Sequence, residues 1–396
     1  MPAVDSDVSD TEQNTSGAAP LSTQLMQDDS RTRTDFLHYV VPTFNTGGAQ
    51  RRFVAIMNGL SPKYRCSITA LDAQYGAAEG FAQHVTWERF NVDGPGENIW
   101  VRRRVIRRAL SSKCPDLLVT NNWGAIEWAA ANRPRIVRHI HIEDGFGPEE
   151  AQRQLPRRVW FRRFALGGPS TLVVPSRTLL KIAREIWRIP ERKIRYVPNG
   201  IPCTKFDRQA DPSLFGRLRG EGPVIGTLAA LRPEKALHRL IDAFAEVRAA
   251  RTCRLAIIGE GGQRAELEAQ AAKLGLENDI TFVGHLSHPE LILGGLAVFA
   301  LSSDTEQMPL TVLEAMAAGV PVASVDVGDV AGMVSPDNAP FIVSKSAQAL
   351  AGAIAALLDA PERARAIGRA NQAHARREYD ESTMFAAYDG LFSGRQ

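Results

Sequence analysis

From residue 36 onward, short apolar runs alternate with stretches of helical spacing. "FLHYVV" (36–41) precedes a glycine-rich turn and "AQRRFVAIMNGL" (49–60). "CSITAL" (66–71), "DLLVT" (116–120), "RIVRHIHI" (135–142), "TLVVPS" (171–176) and "IRYVPNG" (194–200) follow. Several of these runs are apolar on both faces, which is the pattern of strands in a parallel sheet covered by helices. "AIEWAAAN" (125–132) and "RTLLKIAREIW" (177–187) read as helices between them. The pattern predicts one doubly wound α/β unit.

A second set begins near residue 222. "PVIGTLAAL" (223–231), "RLAIIG" (254–259), "ITFVG" (280–284), "LAVFAL" (296–301) and "PVASV" (321–325) read as its strands. "KALHRLIDAFAEVRAA" (235–250) and "QRAELEAQAAKLG" (263–275) read as helices. In the first of these, Leu237, Leu240, Ile241, Phe244 and Val247 form one apolar stripe. "TKFDRQADPSLFGRLRGEGP" (204–223) reads as a polar linker punctuated by Gly and Pro, and "ESTMFAAYDGLF" (381–392) as a closing helix. The expected organisation is a tail over 1–33, Rossmann-like domains over 34–205 and 206–380, and a C-terminal helix, 381–396, returning toward the first domain. Two such sheets face to face leave a cleft, where a ligand is expected.

Composition narrows the partners. A chain of 396 residues is long enough for two cores, and 44% hydrophobic with 23% charged residues is the globular range. A net charge of +3 is too small for a general nucleic-acid binder. Cys66, Cys114, Cys203 and Cys253 are widely spaced with no CxxC, which predicts free thiols in a reducing compartment. No apolar run is long enough to span a membrane. The first 30 residues hold Asp5, Asp7, Asp10 and Glu12 and no Lys or Arg, the opposite of a signal peptide, and residues 1–33 read as disordered.

Three strand-to-helix loops have the composition of anion sites. In "NTGGAQRR" (45–52), Gly47 and Gly48 let backbone approach a ligand, and a helix N-terminus follows. In "LRPEKAL" (231–237), Lys235 near a helix start opposes the helix dipole unless an anion offsets it. In "IIGEGGQRAEL" (257–267), Gly259 and Gly261 suit a backbone nest. Each alone is equally an ordinary turn. A fourth stretch, "SSDTEQMPLTVLEAMAAGVPV" (302–322), places Pro309 at the start of a helix over Leu310–Ala318, with Gly319 as its C-cap. Glu306 lies in the loop before that helix and Glu314 inside it. The N–H groups of Met308 to Thr311 point to any phosphate there. Capping and solvation are the plain alternatives, but Glu314 lies among Val312, Leu313, Ala315 and Met316.

Taken in order, "GGAQR", "PSRTL", "VPNGI", "RPEK", "GEGGQRAEL", "ITFVGH" and "EQMPLTVLEAMAAGVPV" followed by Gly328 resemble the motifs of a GT-B retaining glycosyltransferase of family 4, over roughly residues 36–392. The resemblance implies two Rossmann-like doubly wound domains facing across a cleft, the first for the acceptor and the second for the nucleotide-sugar donor. It implies that Glu314 binds the ribose and that Glu306 contacts the donor sugar. Lys235 and the loop at Gly48 then bind the diphosphate. Val283, Gly284 and His285 lie at the nucleobase edge. A histidine of "RHIHIEDG" faces the donor sugar. His139 and His141 share one side of a strand, and His141 is nearer the cleft end. Many relatives carry Arg where this chain has Ala230; either Arg232 reaches the diphosphate by a different backbone path, or one cation is missing. No enzyme nucleophile is assigned. The charge of the leaving group falls to Lys235, glycine-rich backbone and a helix N-terminus, without a metal or other cofactor.

The acceptor side is less ordinary. "RRRVIRR" (102–108) and "RQLPRRVWFRRFAL" (153–166) are basic and partly amphipathic. Val159, Trp160, Phe161 and Phe164 interleave with Arg157, Arg158, Arg162 and Arg163, which fits a helix on an anionic membrane and equally a helix packing its aromatics into a core. Asn121, Asn122, Trp123 and Glu127 are candidate acceptor-pocket residues. The expected protein is a cytoplasmic enzyme, peripheral at the inner face of the cell membrane, serving polysaccharide or cell-envelope synthesis with a glycan or lipid-linked glycan acceptor. The alternatives are a sugar-nucleotide 2-epimerase and a non-catalytic nucleotide-sugar-binding protein.

Overall fold

The computed structural model describes residues 35–92, 98–146, 150 and 153–395; the expected tail lies outside them. Seven strands form the first sheet: β1 Asp35–Val41, β2 Tyr64–Ala70, β3 Trp87–Arg89, β4 Leu117–Asn121, β5 Arg138–Ile142, β6 Ser170–Val174 and β7 Ile194–Tyr196. Their order is β3-β2-β1-β4-β5-β6-β7, all parallel. The second sheet holds β8 Val224–Leu228, β9 Arg254–Ile258, β10 Ile280–Gly284, β11 Val298–Leu301, β12 Val322–Val325 and β13 Ile342–Val343. Its order is β10-β9-β8-β11-β12-β13, again all parallel. These are two Rossmann-like domains of GT-B architecture. The order reverses between β1 and β4 and between β8 and β11. Such a reversal opens a crevice at the C-terminal ends of the strands.

Both sheets are covered on both faces, which is why their strands are apolar throughout. In the first domain, Leu37, Tyr39 and Ile68 pack against Phe53 and Met57 of the helix Gly48–Leu60, while Leu172 and Val174 pack on the other face with Leu179 and Trp187. In the second, Ile225, Leu255 and Ile257 pack against Leu240, Ile241 and Phe244 of the helix Leu237–Ala250. The helix Leu310–Ala317 fills the opposite face through Val312, Leu313 and Met316.

The structure adds elements that periodicity did not predict. β3 and β13 are edge strands of 3 and 2 residues, too short to carry an alternating pattern. The helices Ile99–Lys113, Ala347–Asp359 and Pro361–Glu378 also stand outside the predicted set. The segment 204–223 is not a free linker: Cys203–Asp207 and Pro212–Phe215 are helical turns, and Phe206 and Leu218 are buried in the second core.

The helix Glu381–Ser393 packs on the first domain, with Met384, Tyr388, Leu391 and Phe392 in its core. Arg138 donates to the carbonyls of Leu391 (2.7 Å) and Phe392 at the end of that helix, satisfying orphan acceptors. Ile201 and Asp380 form a parallel bridge. The chain therefore leaves the first domain and re-enters it side by side.

Candidate active site

The segments that follow β1, β5, β8 and β11 converge on a cleft of about 290 Å³. Gly48, Arg51, Arg52 and Asp144 come from the first sheet's loops, and Ala230, Lys235, Glu306 and Met308–Thr311 from the second's. Several contacts join the two walls. The Nδ2 of Asn199 donates to the Met308 carbonyl at 2.9 Å, and Ser176 Oγ donates to Gln307 Oε1 at 3.1 Å. Asp329 accepts from the backbone N–H of Arg177 and Thr178 and from the Thr178 hydroxyl, a carboxylate placed at the N-terminus of the helix Arg177–Glu185.

Lys235 does not sit in the first turn of its helix. It ends the helical turn Pro233–Lys235, and Ala236 then takes a left-handed φ of +46° before the helix Leu237–Ala250 begins. A β-carbon makes that conformation cost about 1–2 kcal/mol. The turn delivers Lys235 Nζ to Glu306 Oε1 at 2.5 Å, and Ser303 Oγ donates to the same oxygen at 2.8 Å.

Pro309 precedes the helix Leu310–Ala317 with no side chain capping its N–H groups, so they remain open to an anion. Gly319 ends it at φ +74°. Glu314 is 2% exposed. Its Oε1 accepts from Arg51 at 2.9 Å, and its Oε2 has no partner among the described residues. Burial raises the Glu314 pKa above the ordinary carboxylate range, and the charge of Arg51 opposes that rise.

The first domain holds its wall with a buried polar network. Arg52 donates to Asp144 at 2.9 Å and to Asn199 at 3.0 Å, and Asn121 Nδ2 donates to Asp144 at 2.8 Å. None of Arg52, Asp144 or Asn199 stood out in the sequence. The one available signal was the pair of arginines directly after the Gly47–Gly48 turn.

Other expected residues lie elsewhere. His141 is fully buried and does not line the cleft. Its Nδ1 meets Thr120 Oγ1 at 2.7 Å, and its Nε2 lies 3.5 Å from Glu143. The cleft position near it belongs to Asp144, because β5 ends at Ile142 and the chain emerges only after Glu143. His139 is locked between Ser170 and Thr120, and burial, with His141 beside it, pushes its pKa down to about 3.

Gly259 and Gly261 do not reach the cleft. A β-carbon on Gly259 would lie 1.9 Å from the Ala229 carbonyl oxygen, and one on Gly261 would lie 2.4 Å from that of Leu231. They are glycines because the 229–231 loop crosses directly over them. Val283 and His285 lie at the end of the sheet-edge strand β10, two strands from the reversal, and do not line the cleft. Arg232 is exposed and outside the cleft lining, so it does not stand in for a cation at Ala230 in this conformation. Gly47 is extended (φ −160°) and starts the helix behind Gly48, which faces Leu310.

Among the candidate acceptor residues, Asn121 is buried in the Asp144 network, and Asn122 Oδ1 accepts from the Asp144 N–H at 2.8 Å. Trp123 and Glu127 line a separate hollow of about 910 Å³ between the helices Ile99–Lys113, Asn122–Ala131 and Pro156–Leu166. Trp100 (73%), Trp160 (69%) and Phe164 (49%) are exposed, so the core alternative does not hold for Trp160 and Phe164. The four arginines are unequal. Arg162 is fully buried, bonded to Glu150 at 2.9 Å and to Glu143 at 3.3 Å, and stacked over Trp123 and Trp187. Arg158 also pairs with Glu150, at 3.2 Å.

Comparison with known proteins places both halves. Residues 46–205 match Glycosyltransferase Family 4, and residues 215–374 match Glycosyl transferases group 1. The 2-deoxystreptamine glucosyltransferase of Streptomyces kanamyceticus is 32% identical over 190 residues, 45% of this chain and 48% of that protein. The GDP-mannose-dependent alpha-(1-6)-phosphatidylinositol monomannoside mannosyltransferase of Mycobacterium tuberculosis H37Rv is 29% identical over 281 residues, 67% of this chain and 71% of that protein. The chain spans about half the length of the first curated relatives it matches, 48%, 53% and 59% of three of them. In structure, Anabaena HepE in complex with UDP-glucose superposes with a TM-score of 0.76 at 20% identity, covering 91% of this chain and 99% of that one.

Proposed function

The chain belongs to glycosyltransferase family 4, and on that premise we propose that it moves a hexose from a nucleoside diphosphate sugar to a glycan or lipid-linked glycan acceptor, with retention of configuration. One observation carries this reading. Lys235, Glu306 and the uncapped N-terminus of the helix Leu310–Ala317 meet at the crevice of the donor-side sheet, with Glu314 buried one turn further in. Lys235 and the helix N–H groups match a diphosphate, Glu306 a sugar hydroxyl, and Glu314 a ribose diol. The same fold holds UDP-glucose in Anabaena HepE, which is in keeping with a nucleotide sugar as donor.

The cleft carboxylates each have a cation: Glu306 has Lys235 and Asp144 has Arg52. No enzyme nucleophile is assigned, and the reading is front-face transfer. The acceptor hydroxyl oxygen bonds to the anomeric carbon as the bond from that carbon to the diphosphate breaks. The electron pair leaves with the diphosphate, and the hydroxyl proton passes to a phosphate oxygen. Lys235 and the helix N–H groups stabilise the departing charge. The match to group 1 glycosyl transferases favours transfer over 2-epimerisation.

Trp100 and Phe164 stand exposed beside Arg103, whose guanidinium lies within 6 Å of the Trp100, Phe161 and Phe164 rings, and Trp160 stands exposed under Arg163. This supports an amphiphilic acceptor met at an anionic, cytoplasm-facing membrane surface. No helix among the described residues is long and apolar enough to cross a membrane.

The test is a panel of UDP- and GDP-sugars, scored for thermal stabilisation and slow donor hydrolysis. One donor class should raise the melting temperature and be hydrolysed. Lys235→Ala should lower kcat more than it raises KM, because leaving-group charge peaks in the transition state. Stabilisation without any turnover, with every acceptor tried, would leave a binding protein instead.

A further inference from the structure

Among the described residues, three cations face the cleft, and each is already paired with an acid. Arg52 is fixed: its side chain is 4% exposed and it bonds to both Asp144 and Asn199. Lys235 is held by Glu306 and Arg51 by Glu314. The β8 loop offers no second cation, because Ala230 lines the cleft and Arg232 does not. A diphosphate carries at least two negative charges, and Lys235 answers only one of them.

Arg51 is placed to answer the other. It lies in the first turns of the helix Gly48–Leu60, and its side chain is 51% exposed while that of Glu314 is 2% exposed. Its guanidinium thus covers the carboxylate. Glu314 keeps one oxygen without a partner under that cover. A ribose diol reaches Glu314 only if Arg51 moves, and Arg51 moves at low cost only if another anion receives it.

We propose that Arg51 is a donor-binding residue that exchanges Glu314 for the donor's diphosphate when the nucleotide sugar enters. The exchange rests on the reading of Glu314 as the ribose acceptor. The cleft's own charges are then mutually paired, and the donor replaces internal ion pairs one for one. Arg51 gives up a carboxylate and gains a phosphate, and Glu314 gives up a guanidinium and gains two hydroxyls. Lys235 and Glu306 make the parallel exchange. Nucleoside and diphosphate recognition are coupled through one side chain. A nucleoside alone strands Arg51, and a nucleoside diphosphate does not.

The experiment is calorimetry of the full chain with uridine, UDP, guanosine and GDP, on the wild type, Arg51→Gln, Arg51→Lys and Glu314→Ala. For the nucleotide that binds, Arg51→Gln should weaken the diphosphate on the order of 10-fold or more and leave the nucleoside equal or tighter. Arg51→Lys, which keeps the charge, should retain much of the preference for diphosphate over nucleoside. Melting curves check that each variant is folded. If Arg51→Gln weakens nucleoside and diphosphate by the same factor, or weakens neither, the proposal is overturned. Glu314→Ala separates the two ideas. Unchanged nucleoside affinity there defeats the ribose reading and with it the exchange, while the Arg51→Gln arm still reports whether Arg51 meets phosphate.

Discussion

The two domains have the same strand order near the cleft but hold their cleft walls by different means. The second domain uses backbone. Gly259 and Gly261 pass so close beneath the 229–231 loop that no side chain fits, and Leu231 and Glu260 are joined there by a 2.9 Å backbone hydrogen bond. The first domain uses charge: Arg52 is bonded to residues 92 and 147 positions away, Asp144 and Asn199. Their outer faces differ too. Among the described residues, Leu274 is the exposed large hydrophobic of the second domain, whereas the first domain shows Leu71, Ile99, Trp100, Val101, Trp160, Phe164 and Ile186. The second domain is thus a closed scaffold around a backbone-shaped wall. The first domain is a polar-buttressed scaffold with an apolar outer face left open.

The sharpest way to break that contrast is Arg162→Ala. It leaves Glu143 buried without its guanidinium and Glu150 with Arg158 alone, and should cost about 3–5 kcal/mol in chemical denaturation. A loss below about 1 kcal/mol would mean the network does not hold the first domain. Gly259→Ala tests the backbone half. With φ +140° and a carbonyl oxygen 1.9 Å from the new β-carbon, the loop must shift. Stability should fall by about 1–3 kcal/mol, and donor-induced thermal stabilisation should shrink with it. Unchanged donor stabilisation would show that the loop's position is not set by that contact. The smallest stability effect belongs to Trp160→Ala, which should stay within about 0.5 kcal/mol because the ring is exposed, yet should weaken sedimentation with anionic vesicles at low salt. A large drop in melting temperature with vesicle binding untouched would retire the membrane reading.

What the sequence determined by itself is local. Apolar runs, strand-to-helix turns and the loop-helix spacing of Glu306, Pro309 and Glu314 are set by neighbours within a few residues. They were enough for the α/β class, the two-domain GT-B reading and the loops of Gly48, Lys235 and Glu306 that meet at the cleft. Gly259 and Gly261 were legible as special backbone but misread in purpose: a glycine needed for close approach does not say what approaches, and here it is the chain itself. His141 was chosen because it lies nearer the cleft end of β5 than His139, but nearness along a strand does not give exposure: the strand runs on to Ile142, and the first residue after it to line the cleft is Asp144. Only the tertiary structure decided the partners of the buried charges. Arg51 and Glu314 lie 263 positions apart, and Arg162 looks like its surface neighbours in a basic, aromatic run. The cost of burying a charge is settled by whichever counter-charge the fold brings within hydrogen-bonding distance, and no spacing along the chain records that.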